Sequence, residues 1–422
     1  MIRWLFALVF VTVAVSAHAQ PVASPAIRAG ADMLVTMLRD AKIDEAMFAP
    51  SFLAQVPAAQ VEAIAKELRT TNGTVIGVAS ITPESALQAV VAVEYANAIV
   101  TARIALEAPE PYRFIGLLIT GVERRGDSFE AVTSELRKLP GTSALLVAKL
   151  GEAAPVAFAS HNADTSLATG SVFKLFVLAE FARATEANER KWSDVVALGP
   201  PSLPSGITQN WPKALPVTLA TLAAQMISIS DNTATDTLIA ALGRPKIDAM
   251  RESIGKTSGS LPVLTTLDAF ALKMPAREAL RKRWVAGGLS DRRQVLNTLE
   301  PTVTDIDPSA LAGAPLHIDT VEWPATMTEI ATVLDTLRRS GSATALDILG
   351  INPSLSPAER SRFVSVGYKG GSEAGVIAMS WLLKSKSGDW YAVSGAWNDT
   401  TKPIDNVAFS ALMMRAVALV GR

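Results

Sequence analysis

The chain has 422 residues, 49% of them hydrophobic and 19% charged, and 39 basic against 40 acidic residues give a formal net charge of −1. This length exceeds the roughly 250–300 residues at which a single hydrophobic core stops growing, so two domains are expected, and the composition excludes a disordered or fibrous chain. The balanced charge gives no footprint for nucleic acid, and the lack of cysteine excludes disulfides, thiolate nucleophiles and zinc–thiolate sites.

The first 19 residues have the pattern of a secretory signal peptide. Arg3 precedes an apolar run from Trp4 to Val15, and Ala17-His18-Ala19 is a small-x-small cleavage site. The run is shorter than the ~20 residues that span a bilayer, which argues against the alternative of an uncleaved membrane anchor. We therefore expect cleavage near Ala19/Gln20, a periplasmic or secreted mature protein, and no stable membrane anchor.

Residues 27–122 are expected to form a small α+β domain. Helical periodicity covers 27–41 and 58–69, and segments rich in Val, Ile and Ala follow, each bounded by turn residues. These segments are 74–79, 87–95, 98–106 and 112–120. Helices followed by an antiparallel sheet are typical of an α+β domain, and the charged turn 123–127 marks its end.

Residues 128–422 are expected to form a second, larger domain. A helix to about Lys138 and a strand pair, 143–150 and 155–159, precede a long helix-rich middle. Three strands and a final helix close the chain, at 363–367, 375–384, 390–396 and 404–420. Strands on both sides of a helical insert predict one sheet assembled from distant segments.

In the helix-rich middle, Ser171 and Lys174 form an S-x-x-K pair at the start of an apolar helix. Positions three apart lie on one helix face, so the hydroxyl and the ammonium can meet. A lysine whose pKa is lowered by burial can accept the serine proton and make the oxygen nucleophilic. A helix that begins at Ser171 would also direct backbone N–H groups at developing negative charge. The alternative is a capping serine with a solvated lysine.

Two further motifs follow in the chain. Ser230-Asp231-Asn232 lies between the helical stretches 219–229 and 234–242, where the same residue types are also ordinary helix caps. Lys369-Gly370-Gly371-Ser372 is expected at the end of a strand, where glycines let the backbone approach a ligand closely. The alternative for this third motif is a strand-end turn with an exposed lysine.

The order of the three motifs resembles that of the class A β-lactamase-like serine hydrolases, a family that includes penicillin-binding proteins. The resemblance covers residues 128–422. It implies an α/β (α+β) fold in which helices flank an antiparallel sheet and a second, all-helical subdomain is attached. Residues 27–122 resemble, by the order of their elements alone, the cone-shaped steroid-isomerase or NTF2-like domains.

The resemblance also implies a role for each motif. The catalytic residues would be Ser171 as nucleophile, Lys174 as proton acceptor and Ser230 as proton relay to the leaving group. The backbone N–H groups of Ser171 and Ser372 would form the oxyanion hole. The substrate-binding residues would be Asn232, Lys369, Gly370 and Gly371, with Lys369 supplying positive potential for a substrate carboxylate. The family implies no cofactor and no metal.

The chain departs from the family pattern in two places. The third motif lacks the hydroxyl residue that usually follows the lysine, although Ser372 stands directly after the triplet. The E-x-x-L-N segment, whose Glu activates the deacylating water, is not found between the second and third motifs. Asp268, Glu278 and Glu300 are the possible substitutes. The basic stretch 275–324 could recognise an anionic substrate or form a lid, and a solvated helical face is the favoured alternative.

The sequence therefore predicts a secreted serine hydrolase that forms an acyl-enzyme on Ser171 with a small ester, amide or β-lactam substrate. We expect esterase activity and slow β-lactam hydrolysis, because acylation is well equipped and deacylation is not. The alternatives are a D,D-peptidase of the penicillin-binding kind and a non-catalytic binding module with β-lactamase architecture.

Overall fold

A computed structural model describes residues 23–40, 42–151, 154–255, 259–311 and 313–421. The predicted signal peptide, residues 1–19, lies outside the described residues. The chain divides into two compact units, Met1–Gly126 and Asp127–Arg422. Among the residues that the structure describes, none belongs to a helix that is long and apolar enough to cross a membrane.

In the first unit, helices pack against one face of an antiparallel sheet. The elements are α1 (Pro25–Asp40), α2 (Pro50–Leu53), α3 (Ala58–Asn72), β1 (Val75–Pro83), β2 (Gln88–Tyr95), β3 (Ala98–Leu106) and β4 (Phe114–Arg124). The strands pair in the order β1-β2-β3-β4. Along β2, Val91 and Val93 are buried while the residues between them are not, as expected of a sheet with one face on the core. The likeness of this unit to NTF2-like domains stays a prediction.

The second unit begins with a helix and two strands, and a helix-rich segment follows. Its elements up to residue 311 are α4 (Phe129–Leu136), β5 (Thr142–Leu150), β6 (Val156–His161), β7 (Leu167–Ala168), α5 (Lys174–Glu186), β8 (Val195–Ala197), β9 (Pro216–Thr218), α6 (Leu219–Ser228), α7 (Asn232–Leu242), α8 (Arg244–Ile254), α9 (Thr266–Lys273), α10 (Glu278–Ala286), α11 (Leu289–Leu299) and α12 (Pro308–Leu311). The rest are β10 (Pro324–Ala325), α13 (Met327–Arg339), α14 (Ala343–Leu349), α15 (Pro357–Arg360), β11 (Phe363–Glu373), β12 (Val376–Ser385), β13 (Trp390–Asn398) and α16 (Asn406–Leu419).

One antiparallel sheet joins the two ends of this unit. Its strands lie in the order β11-β12-β13-β5-β6. Strand β12 is buried on both faces, because α16 covers one side and the helical segment covers the other. A strand buried on both faces has a continuous apolar sequence instead of an alternating one. The largest buried side chain on β12 is Trp381, whose Nε1 donates to Pro353 O at 3.0 Å.

Helix α5 is the centre of the helical layer. It contacts α6, α7, α8 and α13. Its residues are apolar on all sides, and Leu175, Val177 and Leu178 are fully buried. A helix that is hydrophobic all round belongs inside a core. Lys174, at its first position, is thereby placed in the interior, and the sheet with its flanking helices and the helical layer confirm the predicted fold class.

Candidate active site

Ser171 lies on a short 3₁₀ turn that leads into α5. The turn covers Gly170–Phe173, and the α-helix begins at Lys174, not at Ser171 as the sequence predicted. Gly170, the first residue of the turn, has a φ of +48°, a left-handed conformation that glycine adopts without steric cost. The half-buried Ser171 side chain borders a cavity.

Trp323 supports this turn. The ring of Phe173 stacks on Trp323 with an interplanar angle of 4° and 4.3 Å between the ring centroids. The N–H and Oγ1 of Thr169 donate to Trp323 O at 3.3 and 2.8 Å. The indole Nε1 in turn donates to Leu264 O at 2.9 Å. Trp323 therefore fixes the segment that carries Ser171 and is not a wall of the cavity.

Lys174 is fully buried, and its Nζ contacts the second motif. Nζ lies 2.6 Å from Ser230 O, 2.8 Å from Asn232 Oδ1 and 3.2 Å from Ser230 Oγ. The described hydrogen bonds include none between Lys174 Nζ and Ser171 Oγ. The structure thus joins the lysine of the S-x-x-K pair to the S-D-N motif, and the serine of the pair lies on the turn just before α5.

The surroundings of Lys174 favour its neutral form. Burial lowers the pKa of Lys174 well below its ordinary value, and the charge on Lys369 lowers it further. The carboxylates of Asp236 and Asp231 act in the opposite direction and do not reverse the shift. A neutral amine is the form that can accept a proton from a serine hydroxyl.

Ser230 stands between two buried lysines. Its Oγ lies 3.2 Å from Lys174 Nζ and 3.0 Å from Lys369 Nζ. Its φ of +60° is in the left-handed region, at the junction of α6 and α7. A neutral Lys174 gives its two protons to Ser230 O and Asn232 Oδ1, which can only accept, so its lone pair is left for a hydroxyl. Ser230 is therefore placed to pass a proton between Lys174 and a group in the cavity.

Asp231 is fully buried and organises the loop around the motif. Its carboxylate accepts hydrogen bonds from Ile207 N at 2.7 Å, from Thr208 N at 2.8 Å and from Thr208 Oγ1 at 2.6 Å. It also caps α7. A Cβ at Gly206 would lie 2.3 Å from this carboxylate, so the loop requires a glycine there. Asp231 thereby fixes its two neighbours in the motif without lining the cavity.

Lys369 is buried on β11 and faces Ser230. Its Nζ donates to Ser230 Oγ at 3.0 Å and to Gly370 O at 2.5 Å. Burial lowers the pKa of Lys369 to about 7. The side chain is consequently close to half protonated at neutral pH. Its burial corrects the alternative of an exposed lysine in a strand-end turn.

The third motif lies within β11, not at its end. The strand continues to Glu373 and pairs with β12 through Gly370, Gly371 and Ser372. A Cβ at Gly371 would lie 2.3 Å from Ser171 N and 2.5 Å from Thr169 O. The glycine therefore lets β11 pack directly on the turn that carries Ser171. This contact brings together the two backbone segments that hold the predicted oxyanion donors, the N–H groups of Ser171 and Ser372.

The predicted site residues meet at one cavity of about 530 Å³. Its walls include Ser171, Ser230, Asn232, Lys369, Gly370, Gly371 and Ser372. Lys174 contacts two of these residues and lies behind them. Hydroxyl and amide groups dominate the polar part of the wall, and the lining residues within the described part of the chain include no carboxylate.

Other walls of the cavity come from residues that the sequence did not indicate. Tyr368 precedes Lys369 on β11, and Phe270 reaches the cavity from α9. Ser354, in the loop before α15, and Ser410, on α16, complete one side. Proximity to the third motif was a usable signal for Tyr368. Phe270, Ser354 and Ser410 lie in segments without a motif, and only the tertiary fold brings them here.

The three acidic residues considered for activating water lie elsewhere. Asp268 pairs with Arg244 at 2.7 Å and caps its own helix, α9. Glu278 pairs with Lys282 at 2.6 Å on the surface of α10, and Glu300 is exposed at the end of α11. None of them lines the cavity that contains Ser171. The structure therefore gives none of these three carboxylates the position of a deacylating base.

The basic stretch 275–324 is largely occupied with structural contacts. Arg281 Nη1 donates to three carbonyl oxygens at the end of α9, between 2.9 and 3.3 Å. Arg292 donates to the carbonyl oxygens of Trp284 and Leu261 at 3.0 and 3.2 Å. Its basic side chains do not line the Ser171 cavity. These contacts argue against substrate recognition, and they tie Arg281 and Arg292 to the fold instead of leaving them on a solvated helical face.

A buried charge cluster ties α9 to β11. Lys273 Nζ lies 2.8 Å from Glu322 Oε1 and 2.5 Å from Glu373 Oε1. Burial raises the pKa of Glu373 to about 9, and the negative charge of Glu322 adds to the rise. Burial also opposes ionisation of Glu322, but the charge of Lys273 and the hydrogen bonds with Lys273, Glu373 and the Trp323 N–H together outweigh it and hold the pKa of Glu322 below its ordinary value. Near neutral pH the two carboxyls therefore hold one proton between them.

Comparison with protein-family models gives one match to this chain. Residues 128–283, which contain the first two motifs, match the model of the β-lactamase enzyme family. No curated protein with a significantly similar sequence was found.

Several solved structures are similar to the chain. A β-lactamase from Sphaerobacter thermophilus is 21% identical, with 69% of this chain and 95% of that chain covered and a TM-score of 0.47. A β-lactamase from Desulfarculus baarsii is 19% identical, with 70% and 100% covered and a TM-score of 0.47. A protein described as PBP-A is 15% identical, with 69% and 92% covered and a TM-score of 0.46.

Proposed function

We propose that the second unit, whose residues 128–283 match the model of the β-lactamase enzyme family, is a serine hydrolase in which Ser171 forms an acyl-enzyme with an ester, amide or β-lactam carbonyl. The observation that carries the proposal is the contact of Lys174 and Lys369 with the same Ser230 hydroxyl, at 3.2 and 3.0 Å, beside the cavity that Ser171 borders. Two buried amines that contact one hydroxyl do little for the stability of the fold, and they are well placed to transfer a proton through that hydroxyl.

Acylation proceeds with the proton moving from Ser171 to Lys174. The Ser171 hydroxyl takes the place of Ser230 Oγ at the Lys174 lone pair, and its oxygen attacks the carbonyl carbon as its proton passes to Nζ. The tetrahedral oxyanion is held by the N–H groups of Ser171 and Ser372. On collapse, the bond to the leaving group breaks, and Ser230 passes the proton from Lys174 to the departing nitrogen or oxygen.

Deacylation is expected to be slow for a β-lactam. Water needs a general base close to the acyl carbonyl, and the lining residues in the described ranges contain no carboxylate. The opened lactam keeps its bulky leaving group attached, so it blocks the approach of water from that side. A small activated ester loses its alcohol and leaves room for water. We therefore expect esterase turnover and weak β-lactam hydrolysis.

The test is the intact mass of the protein after incubation with benzylpenicillin. We expect one added penicillin that persists for minutes or longer, located on the peptide with Ser171, and none on Ser171→Ala. The same pair of proteins is compared for p-nitrophenyl acetate hydrolysis. An unmodified wild-type protein that hydrolyses the ester no faster than Ser171→Ala would overturn the proposal.

A second candidate function is a D,D-peptidase. The same lack of a carboxylate among the described cavity walls favours this function. A peptidase that releases penicillin slowly needs no dedicated base to hydrolyse the penicillin adduct. Release of D-Ala from a muropeptide, abolished in Ser171→Ala, distinguishes it from an esterase. A binding module without catalysis would bind the ligand equally in both proteins and form no adduct.

The proposed location of this hydrolase is the periplasm or the exterior of the cell. The proposal is supported by the leader pattern of residues 1–19, which lie outside the described residues.

A further inference from the structure

The side chain of Tyr368 occupies the space directly over Gly370. The two residues lie two positions apart on β11, so they face the same side of the sheet. A Cβ at Gly370 would lie 2.2 Å from the Tyr368 hydroxyl oxygen and 2.9 Å from the ring carbon that bears it. The Tyr368 hydroxyl therefore sits where a side chain of residue 370 would begin, at the position that directly follows Lys369.

The tyrosine ring is held in this place by its neighbours. Its register partner on β12 is Trp381, and the two ring centroids are 4.9 Å apart. Trp381 is itself fully buried and bonded to Pro353 O. The Ser354 side chain forms a hydrogen bond with the Tyr368 hydroxyl. The hydroxyl is consequently preorganised and does not need to be ordered when a ligand arrives.

Tyr368 is a neutral donor at the pH of ordinary assays. Burial raises the pKa of its hydroxyl above the ordinary value, and the hydrogen bond with Ser354 offsets part of that rise. The hydroxyl therefore keeps its proton and can donate it to an acceptor in the cavity that it borders.

The cavity around this hydroxyl is suited to substrate oxygens. Lys369, adjacent in sequence, supplies partial positive charge, and the described wall residues offer hydroxyl and amide groups and no carboxylate. We propose that the Tyr368 hydroxyl binds a carboxylate of the acyl substrate beside Lys369 and so replaces the hydroxyl that the third motif lacks after its lysine. This inference rests on the proposed function.

Ser372 is the competing source of that hydroxyl. It lies on the same face of β11, two positions beyond Gly370, and its side chain is exposed. A distance of two residues along a strand is about 6.6 Å. The structure puts the Tyr368 hydroxyl over Gly370, the position that directly follows Lys369, whereas Ser372 lies two residues further along the strand.

The experiment compares two acylating probes on variants of the full chain. Benzylpenicillin carries a carboxylate beside its lactam, and p-nitrophenyl acetate carries none. For Tyr368→Phe we expect the second-order rate of Ser171 acylation by penicillin to fall about tenfold or more, since a hydrogen bond to a charged group is lost. The rate with the acetate should change less than twofold. Tyr391→Phe, on β13 and outside the cavity, is the matched control and should keep both rates.

A second pair of variants tests the position of the hydroxyl. Tyr368→Leu removes the group that blocks residue 370, and adding Gly370→Ser to it should recover part of the lost penicillin rate. Gly370→Ser alone should impair acylation, because its Cβ meets the tyrosine. If Tyr368→Phe keeps the wild-type ratio of the penicillin rate to the acetate rate, this inference is overturned and the proposed function is not. The same holds if that ratio falls in Ser372→Ala instead. A wild-type protein that neither probe acylates overturns the proposed function and this inference with it.

Discussion

At the scale of single residues, the chemistry of the site depends on two amines that share a narrow space. Lys174 and Lys369 both contact Ser230 Oγ, and burial lowers the pKa of each. The charge of one disfavours the charge of the other. The arrangement favours a neutral Lys174, which can accept a proton, next to a Lys369 that is charged at mildly acidic pH.

This arrangement predicts the pH dependence of acylation. Lys369 has a pKa of about 7, so its positive charge is present below that pH and is lost as the pH rises through it. The rate of acylation by benzylpenicillin, an anion, should therefore fall several-fold between pH 6.5 and 8.5, while that of uncharged p-nitrophenyl acetate should not. The measurement is kcat/KM or the labelling rate against pH.

Lys369→Met is the control for this pH profile. It should acylate slowly with penicillin at every pH and show no alkaline fall. A penicillin profile of the wild type that is flat from pH 6.5 to 8.5, or that falls in parallel with the ester profile, contradicts the assignment of the charge to Lys369.

Sequence motifs indicated four of the residues that line the cavity. Ser171, Ser230, Asn232 and Lys369 were singled out because the order of their three motifs resembles that of a known family, and the structure brings them to one cavity. Phe270 has no such signal, since an apolar residue on a helix is ordinarily part of a core. That it lines the cavity depends on the packing of α9, which no local pattern contains.

At the scale of elements, the contact between β11 and the Ser171 turn determines the geometry of the site. The sequence predicted that the strand stops before Lys369, because glycine disfavours strands. In the structure β12 pairs with β11 throughout, and this pairing outweighs the propensity of two glycines. The helix start was misplaced for the same reason, since the conformation of Gly170 depends on its neighbours in space.

This contact makes Gly371 sensitive to any added side chain. In Gly371→Ala the new Cβ would be 2.3 Å from Ser171 N, a separation that forces the strand and the turn apart. We expect acylation by penicillin to fall at least a hundredfold, because oxyanion donors act only in the correct position. Penicillin labelling and thermal unfolding are measured together.

Gly288→Ala is the matched control, since a Cβ there meets nothing within 4 Å. It should leave labelling within about twofold of wild type. If Gly371→Ala labelled at the wild-type rate, the close packing of β11 on the turn would not hold Ser171 in place, contrary to the structure.

At the scale of the whole molecule, the chain consists of two units with separate cores. The cluster of the first unit contains Ile27, Val91 and Ile104, and those of the second unit contain α5 and the five-stranded sheet. The order of helices and strands in each unit followed from periodicity, and the fold of the second from its motifs. Pairing between strands more than 200 residues apart, such as β5 with β13, required the motifs as well as the pattern.

The division predicts that the second unit is active on its own. Asp127, its first residue, is bound within it, because both carboxylate oxygens contact Arg415 at 2.8 Å. All the described cavity walls also belong to this unit. A protein that begins at Asp127 should therefore be labelled by benzylpenicillin within about twofold of the full-length rate, and its Ser171→Ala variant should not be labelled. Loss of labelling in the folded, shortened protein would show that the first unit contributes to the site.

The left-handed backbone of Ser230 lowers the stability of the fold at a residue whose hydroxyl the proposed reaction uses. A residue with a side chain adopts this conformation at a cost of roughly 1–2 kcal/mol, whereas glycine adopts it freely. Glycine would make the interhelical junction more relaxed and would leave the two lysines without a shared hydroxyl. The molecule is thus less stable at this junction than its backbone alone requires, and what it retains in return is a hydroxyl held at a fixed point between two lysines.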